Sequence, residues 1–228
     1  MNIQTKDALG VTPFMDYTHN AIQEFVHTVC HNTSTDLERA VKLYYAVRDG
    51  IRYNPYTITF TVEGMRASTA LISKTGWCVT KATLLAACCR AVNIPAALGF
   101  ADVKNHLTTE RLKKIMKTDV FEWHGYTSIF LNGQWVKATP AFNIELCQRS
   151  RITPLEFDGT ADSIFHPFDL DGNAHMEYLR FRGEFTDVPL EAIKVTLEPR
   201  HQPEKETREA DFHEEVERER AGSATENR

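Results

Sequence analysis

Apolar residues recur every three or four positions near the start of the chain, in two separate stretches. Residues 18–30 and residues 35–50 each place these side chains on one face, which predicts two amphipathic helices. Thr35 and Glu38 have the spacing of a capping box, which closes the first turn of a helix. We therefore expect a helical layer in the first part of the fold.

A third helix is predicted to begin at Cys78 and to end before Pro95, and it is apolar over most of its length. Beyond this point the apolar residues alternate with a period of two, as in strands. Residues 124–131 and residues 134–138 are joined by Asn132-Gly133, a pair that favours a tight hairpin because both residues tolerate positive φ. This order of elements predicts an α+β fold, with an N-terminal helical lobe packed on an antiparallel sheet.

The last third of the chain has a weaker pattern. Residues 144–188 are rich in turn-forming residues and are predicted to make a long ordered excursion over the fold. Residues 199–228 carry six Lys or Arg and nine Asp or Glu, with Phe212 and Val216 as their only large apolar residues. We expect a single domain over residues 1–198, followed by a charged, flexible and solvated tail.

Composition narrows the class of protein. Of the 228 residues, 42% are hydrophobic and 25% are charged, as in ordinary soluble globular proteins. The formal net charge of -5 gives no electrostatic reason to expect a nucleic acid or an anionic membrane surface as a partner. No apolar run approaches the roughly 20 residues that span a bilayer, and the N-terminus lacks the features of a signal peptide. Five cysteines at irregular spacing do not suggest disulfides, so we expect a reduced, cytoplasmic protein.

Cys78 is the candidate nucleophile because it stands at the predicted start of the third helix. Unpaired backbone N–H groups and the positive end of the helix dipole are expected to stabilise its thiolate. His124 opens the first strand of the hairpin, and an imidazole beside the thiol would accept its proton. The remaining cysteines are expected to be buried structural residues, namely Cys30, Cys88, Cys89 and Cys147.

Gly76-Trp77-Cys78 and the segment Arg90-Ala91-Val92-Asn93-Ile94-Pro95-Ala96 resemble the transglutaminase-like (papain-like) cysteine enzymes. The core of that family has Gly-x-Cys, a helix of small residues, and Arg-Ala-x-Gly-Ile-Pro-Ala. The segments His124-Gly125-Tyr126 and Gln134-Trp135-Val136 are similar to its second motif, a His strand followed by a Trp strand. The similarity covers about residues 40–143. It implies a papain-like fold and a Cys78–His124 pair that attacks amide bonds.

The third catalytic position departs from this family. Where the family usually has Asp before Pro, in the strand after the Trp, the chain has Thr139-Pro140. A threonine hydroxyl can accept a hydrogen bond from the imidazole, but it brings no negative charge. Either Thr139 or Asn143 is expected to orient His124, or the triad is impaired. Asparagine in this role is known chemistry for papain-like enzymes.

These residues predict a cysteine enzyme that acts on an amide bond of a peptide, a protein or a small molecule through an acyl-thioester. A peptidase or amidase is favoured over a transglutaminase-type acyltransferase, because water is always available and the resemblance includes many hydrolytic members. Trp77 adjoins the thiol, and His175 and Tyr178 belong to the excursion expected to fold over the site, so all three are candidate substrate-binding residues. No cofactor is expected.

The sequence supports two other classes of function less strongly than it supports an amide-cleaving cysteine enzyme. A catalytically impaired binding module that keeps the fold is the alternative, because the family's Asp is missing. A thiol redox protein is disfavoured, since no second cysteine lies at a C-x-x-C spacing from Cys78. Residues 166–175 contain two His and two Asp, but they do not make a full calcium loop, and an Asp- and Gly-rich turn is preferred over a metal site.

Overall fold

The computed structural model describes residues 3–105, 108–164, 168–172, 176–201, 206–207 and 210–226. Its helical layer consists of α1 (Asn20–Val29), α2 (Asp36–Gly50), α3 (Ala67–Ser73) and α4 (Cys78–Ala91). The first three helices all pack against α4, of which residues 78–90 are buried. A helix surrounded in this way is apolar or small over most of its surface, as α4 is. The exceptions are Lys81 and Arg90, whose charged groups donate to backbone carbonyl oxygens.

A four-stranded antiparallel sheet consists of β3 (Ala96–Asn105), β4 (Val120–Leu131), β5 (Gln134–Ala138) and β6 (Met176–Phe185). The strands lie in the order β5-β4-β3-β6, and the sheet packs against α4 mainly through β4. Two short strands, β1 (Arg52–Tyr53) and β2 (Thr75–Gly76), pair in parallel, and β2 leads directly into α4. The predicted α+β architecture, a helical lobe on an antiparallel sheet, is confirmed.

The other helices are α5 (Glu110–Met116), α6 (Ile144–Ser150), α7 (Leu190–Leu197) and α8 (Phe212–Glu226). Single 3-10 turns occur at Thr5–Ala8, Pro55–Thr57 and Glu63–Met65. Across the described part of the chain, no helix is both long and apolar enough to cross a membrane.

Local sequence features account for several of these elements. The Thr35 hydroxyl accepts the N–H of Glu38 at 3.1 Å, and the Glu38 carboxylate accepts the N–H of Thr35 at 3.2 Å, so the predicted capping box is confirmed. Asn132 and Gly133 have φ values of 49° and 84° in the turn between β4 and β5, which confirms the predicted hairpin.

The prediction of an excursion over residues 144–188 is wrong in part. Residues 176–185 form β6, which is hydrogen-bonded to β3 at the edge of the sheet, and residues 144–150 form α6. The pairing of β6 with β3 shifts register twice. Such bulges interrupt the alternation of apolar and polar residues by which a strand is identified in a sequence.

The prediction of a solvated tail is wrong for α8. Phe212 and Val216 are buried in the main core, and His213 Nε2 lies 3.0 Å from the carbonyl oxygen of Tyr53. The helix docks largely through charged and polar side chains, which the apolar pattern of the sequence does not reveal. The boundary at residue 198 stays a prediction.

Candidate active site

Cys78 is the first residue of α4, and the β1–β2 bridge fixes the turn that presents it. The N–H of Asn54, just after β1, donates to the carbonyl oxygen of Gly76 at 2.9 Å. The N–H of Trp77 donates to the Thr80 hydroxyl at 3.0 Å. The thiol therefore projects from a turn that is held on both sides by hydrogen bonds.

The strand of His124 lies directly against this turn. The backbone N–H of Gly125 acts on the Cys78 sulfur and lowers the pKa of the thiol. A Cβ atom added at Gly125 would lie 3.0 Å from the Cα of Val79 and 3.4 Å from the carbonyl oxygen of Cys78, so a side chain at this position would force the strand away. The strand that carries His124 thus lies against the helix start that carries Cys78, with glycine as the residue that permits the approach.

Burial controls the protonation of the thiol. Cys78 is only 6% exposed, and this desolvation raises its pKa to about 11. The N–H groups of Gly125, Val79 and Cys78 itself act in the opposite direction and are outweighed. The N–H groups at the helix start therefore favour the thiolate, as expected, but burial outweighs them. The thiol is protonated at neutral pH and needs a base.

His124 and Thr139 are both buried, and both line a small void beside the site. Its volume of about 20 Å³ is enough for one water molecule. Thr139 is fixed through its backbone, because its N–H donates to the carbonyl oxygen of Ser163 at 2.9 Å and its own carbonyl accepts the Tyr44 hydroxyl at 3.3 Å. Thr139 therefore borders the same void as His124, but its hydroxyl makes no hydrogen bond within the described ranges.

Asn143 has a different environment. Its side-chain oxygen accepts the backbone N–H of Tyr53 at 3.0 Å, and the residue immediately precedes α6. It does not line the void shared by His124 and Thr139. The amide oxygen of Asn143 is thus engaged in holding β1.

Two tyrosines lie near the sulfur. Burial raises the pKa of the Tyr178 phenol, and the neighbouring Cys78 raises it further. The same two causes raise the pKa of Tyr53. Sequence analysis identified Tyr178, which lies on β6, but it missed Tyr53. Tyr53 comes near the thiol only because Tyr53 pairs with Gly76 in the folded protein.

The two remaining candidates for substrate binding are Trp77 and His175. Trp77 is buried, and its indole N–H has no hydrogen-bond partner within the described ranges. It borders a cavity of about 190 Å³ that several hydroxyl side chains also line, among them Thr59 and Thr80. His175 lies outside the described residues.

The Asp-rich segment interacts with arginines. Asp171 forms an ion pair with Arg151 at 2.6 Å, and Asp169 lies 3.5 Å from Arg220. His166, like His175, is outside the described ranges. Among the residues that the structure describes, no group of three or more His, Cys, Asp or Glu side chains could hold a metal ion.

Two solved structures are similar to parts of this chain at low sequence identity. One similar structure is a putative cysteine protease from Cytophaga hutchinsonii, with 13% identity and a TM-score of 0.48 over 78% of this chain and 64% of that one. Another is a putative protease from Parabacteroides distasonis, with 15% identity and a TM-score of 0.37 over 51% of this chain and 22% of that one. The chain thus spans less than two thirds of the length of either protein.

A search of curated proteins found no match. The family described as the transglutaminase-like superfamily matches residues 23–140, more than half of the chain. This range contains α4, the His124 strand and Thr139. The chain belongs to the transglutaminase-like superfamily.

Proposed function

We propose that the protein is a cysteine enzyme that acts on amide bonds, with Cys78 as nucleophile, His124 as general base and acid, and Thr139 as the group that orients the imidazole. The observation that carries this proposal is the close packing of Gly125, the neighbour of His124, on the first turn of α4, where a Cβ atom on Gly125 would lie 3.4 Å from the carbonyl oxygen of Cys78. This contact holds the strand of His124 against the helix start that carries the thiol. Membership of the transglutaminase-like superfamily supports the same assignment.

The raised pKa of Cys78 requires that the thiol loses its proton during the first step of the reaction. Because the thiol is protonated at neutral pH, His124 takes its proton as the sulfur attacks the carbonyl carbon of the substrate. The carbon–sulfur bond forms, and the negative charge on the carbonyl oxygen is stabilised by backbone N–H groups at the start of α4. The carbon–nitrogen bond then breaks, and the imidazolium gives its proton to the leaving amine.

The thioester formed on Cys78 is resolved by a second nucleophile. We propose water in this role, which makes the protein a peptidase or amidase, with a peptide, protein or small amide as substrate. His124 removes a proton from the water and returns it to the sulfur as the acid product leaves. An amine in place of water would make the same site a transglutaminase-type acyltransferase. Incorporation of ¹⁸O from labelled water into the acyl product distinguishes hydrolysis from amine transfer.

Labelling with iodoacetamide at neutral pH tests the nucleophile. Cys88 and Cys89 are internal controls, because both are fully buried and burial raises the pKa of each. We expect Cys78 to react much faster than these two thiols, and Cys78→Ala to remove the fast phase. Mass spectrometry of tryptic peptides separates Cys78, on residues 75–81, from Cys88 and Cys89, which share residues 82–90.

Equally slow reaction of all five thiols would favour a second function, a binding module that keeps the fold without catalysis. Two observations favour this alternative: burial raises the pKa of the Cys78 thiol to about 11, and position 139 lacks a carboxylate.

The assignment of the orienting residue has its own test. We expect Thr139→Ala to slow the labelling of Cys78 more than Asn143→Ala does, since Thr139 borders the void beside His124 and the Asn143 oxygen is bonded to Tyr53. Thr139→Ser is the matched control that keeps the hydroxyl. If neither alanine variant slows labelling, neither residue orients His124.

A further inference from the structure

The residue immediately before His124 has an unusual backbone. Trp123 has φ of 60°, in the left-handed region that bulky side chains rarely adopt. Such a conformation persists only where the surrounding structure enforces it, and these positions cluster at functional sites. The contacts of Trp123 therefore show what fixes the backbone just before His124, and with it the direction of the His124 side chain.

A β-bulge places Trp123 in this conformation. Ala101 pairs with His124 and Val103 pairs with Phe121, so two residues of β4, Glu122 and Trp123, lie opposite the single residue Asp102. A bulge leaves an extra residue unpaired in the ladder and changes the direction of nearby side chains. Here the carboxylate oxygen Oδ1 of Asp102 accepts the Trp123 N–H at 3.2 Å.

A second bulge on the opposite edge of β3 supplies the partner of Asp102. Ala101 pairs with Phe181 and Phe100 pairs with Gly183, so Arg182 is the extra residue of β6. Its Nε also donates to Oδ1 of Asp102, and both side chains are largely buried. Two bulges facing each other across β3 thus bring Arg182 and Trp123 to the same carboxylate oxygen.

Arg182 and α7 also hold the indole ring. The guanidinium carbon of Arg182 lies 4.6 Å from the centroid of the Trp123 ring, within the range of a cation–π contact. The indole N–H donates to the hydroxyl of Thr196 in α7 at 3.1 Å. The Trp123 clamp, defined as Asp102, Arg182 and Thr196, therefore fixes the backbone N–H, one face of the ring and the ring nitrogen.

We propose that the Trp123 clamp is a positioning device that aims His124 at the Cys78 thiol, with Asp102 as its central residue. The inference rests on the proposed function, since it needs His124 to act on Cys78. Asp102 acts through Trp123, because its carboxylate keeps the bulged backbone in the conformation from which His124 projects. A small displacement of a catalytic group lowers the rate steeply, so loss of the clamp is expected to slow the chemistry.

Two substitutions of Asp102 separate positioning from charge pairing. Asp102→Asn keeps an acceptor oxygen at the position of Oδ1, to which both Trp123 and Arg182 donate, but removes the charge. Asp102→Glu keeps the charge opposite Arg182 but moves the oxygens by one methylene. Positioning predicts that Asn is tolerated and Glu is not, whereas a purely electrostatic role predicts the reverse.

The test measures the rate of Cys78 alkylation by iodoacetamide at pH 7 and the NMR signals of the His124 imidazole, assigned by their loss in His124→Gln. We expect Asp102→Glu to lower the rate by about tenfold or more and to shift the imidazole signals, as a displacement of the base requires. Asp102→Asn should stay close to the unsubstituted protein. Arg200→Ala is the matched control, because Arg200 pairs with Glu122 in the same network.

The proposal is overturned if Asp102→Glu leaves both readouts unchanged, or if Asn lowers the rate as much as Glu. If Asp102→Glu does not fold, the deciding variant is Thr196→Val, which removes the hydrogen bond to the indole together with the bond that the Thr196 hydroxyl donates to the carbonyl oxygen of Ala192 within α7. An unchanged rate in that variant counts against the clamp. Slow alkylation of Cys78 in the unsubstituted protein would instead contradict the proposed function itself.

Discussion

The helices α4 and α8 are held in the fold by different physical means. Residues 78–90 of α4 are all buried, and the surrounding helices and β4 cover the helix on every side. In α8, Phe212 and Val216 enter the core, and the helix is otherwise rich in charged residues. Burial of an apolar helix can be predicted from the pattern of apolar residues in the sequence. Docking through polar contacts cannot be predicted in this way, because it depends on which distant residues meet the helix.

The polar contacts of α8 connect this helix to the strand that precedes the active site. Asp211, just before α8, accepts two hydrogen bonds from Arg52 at 2.7 and 2.8 Å. His213 lies 3.0 Å from the carbonyl oxygen of Tyr53, and Tyr53 pairs with Gly76 just before the nucleophile. The C-terminal helix therefore supports the strand beside the active site. Substitutions in the two helices should show how strongly each region stabilises the fold.

Lys81 should give the largest loss of stability. Its amine, buried inside the fold, donates to the carbonyl oxygens of Arg48 at 2.8 Å and Ile51 at 2.5 Å, at the end of α2. Lys81→Met leaves two buried carbonyls without this donor, and we expect a loss of about 4 kcal/mol in the free energy of unfolding at 1–3 kcal/mol for each group. Urea unfolding at pH 7 measures it.

The same residue predicts a dependence on pH. Burial lowers the pKa of Lys81 to about 7 from the ordinary value of 10.5, so the unfolded chain binds more protons between these two values. The stabilising contribution of Lys81 therefore increases as the pH rises above about 7. The difference in unfolding free energy between the unsubstituted protein and Lys81→Met should be larger at pH 8.5 than at pH 7. An equal difference at both values would contradict a buried amine with a lowered pKa.

Phe212→Ala should have the next largest effect. The ring is buried, and its centroid lies 5.8 Å from that of Tyr53 and 5.5 Å from that of Tyr56. Loss of a buried phenylalanine costs about 3 kcal/mol. We expect this loss in urea unfolding, together with faster amide hydrogen exchange in α8 than in α4. Val195→Ala, at a site that is 79% exposed, is the control and should change stability by less than about 0.5 kcal/mol.

Tyr56→Phe should have the smallest effect of the three. The Tyr56 hydroxyl donates to Glu215 at 2.6 Å, and Arg111 also donates to that carboxylate at 2.8 Å. Because the carboxylate keeps Arg111, we expect a loss of about 1.5 kcal/mol, the lower range for a hydrogen bond to a charged group. A loss as large as that of Phe212→Ala would show that the polar contacts, and not the apolar ones, dominate the docking of α8.

The residues that sequence analysis identified are those whose role follows from local pattern. The capping box at Thr35, the hairpin turn at Asn132-Gly133 and the start of α4 at Cys78 depend on neighbours in the chain. Together with the family motifs, these features were enough to predict the α+β fold and to select Cys78 and His124.

The features that were missed depend on contacts between distant residues. β6 is interrupted by bulges, and the polar docking of α8 has no apolar periodicity. Tyr53 lies near the thiol only in the folded protein. The same is true of the hydrogen bond that the Trp123 N–H donates to Asp102. The raised pKa of Cys78 likewise follows from burial, which the position of a residue at a helix start does not reveal.

The pH dependence of Cys78 alkylation, with and without His124, tests the central claim most directly. If the imidazole removes the thiol proton, the unsubstituted protein should react at neutral pH, and His124→Ala should react appreciably only as the pH approaches the thiol pKa of about 11. The two rate profiles should then diverge most near pH 7. Coinciding profiles would show that His124 does not act on Cys78, and they would contradict the account.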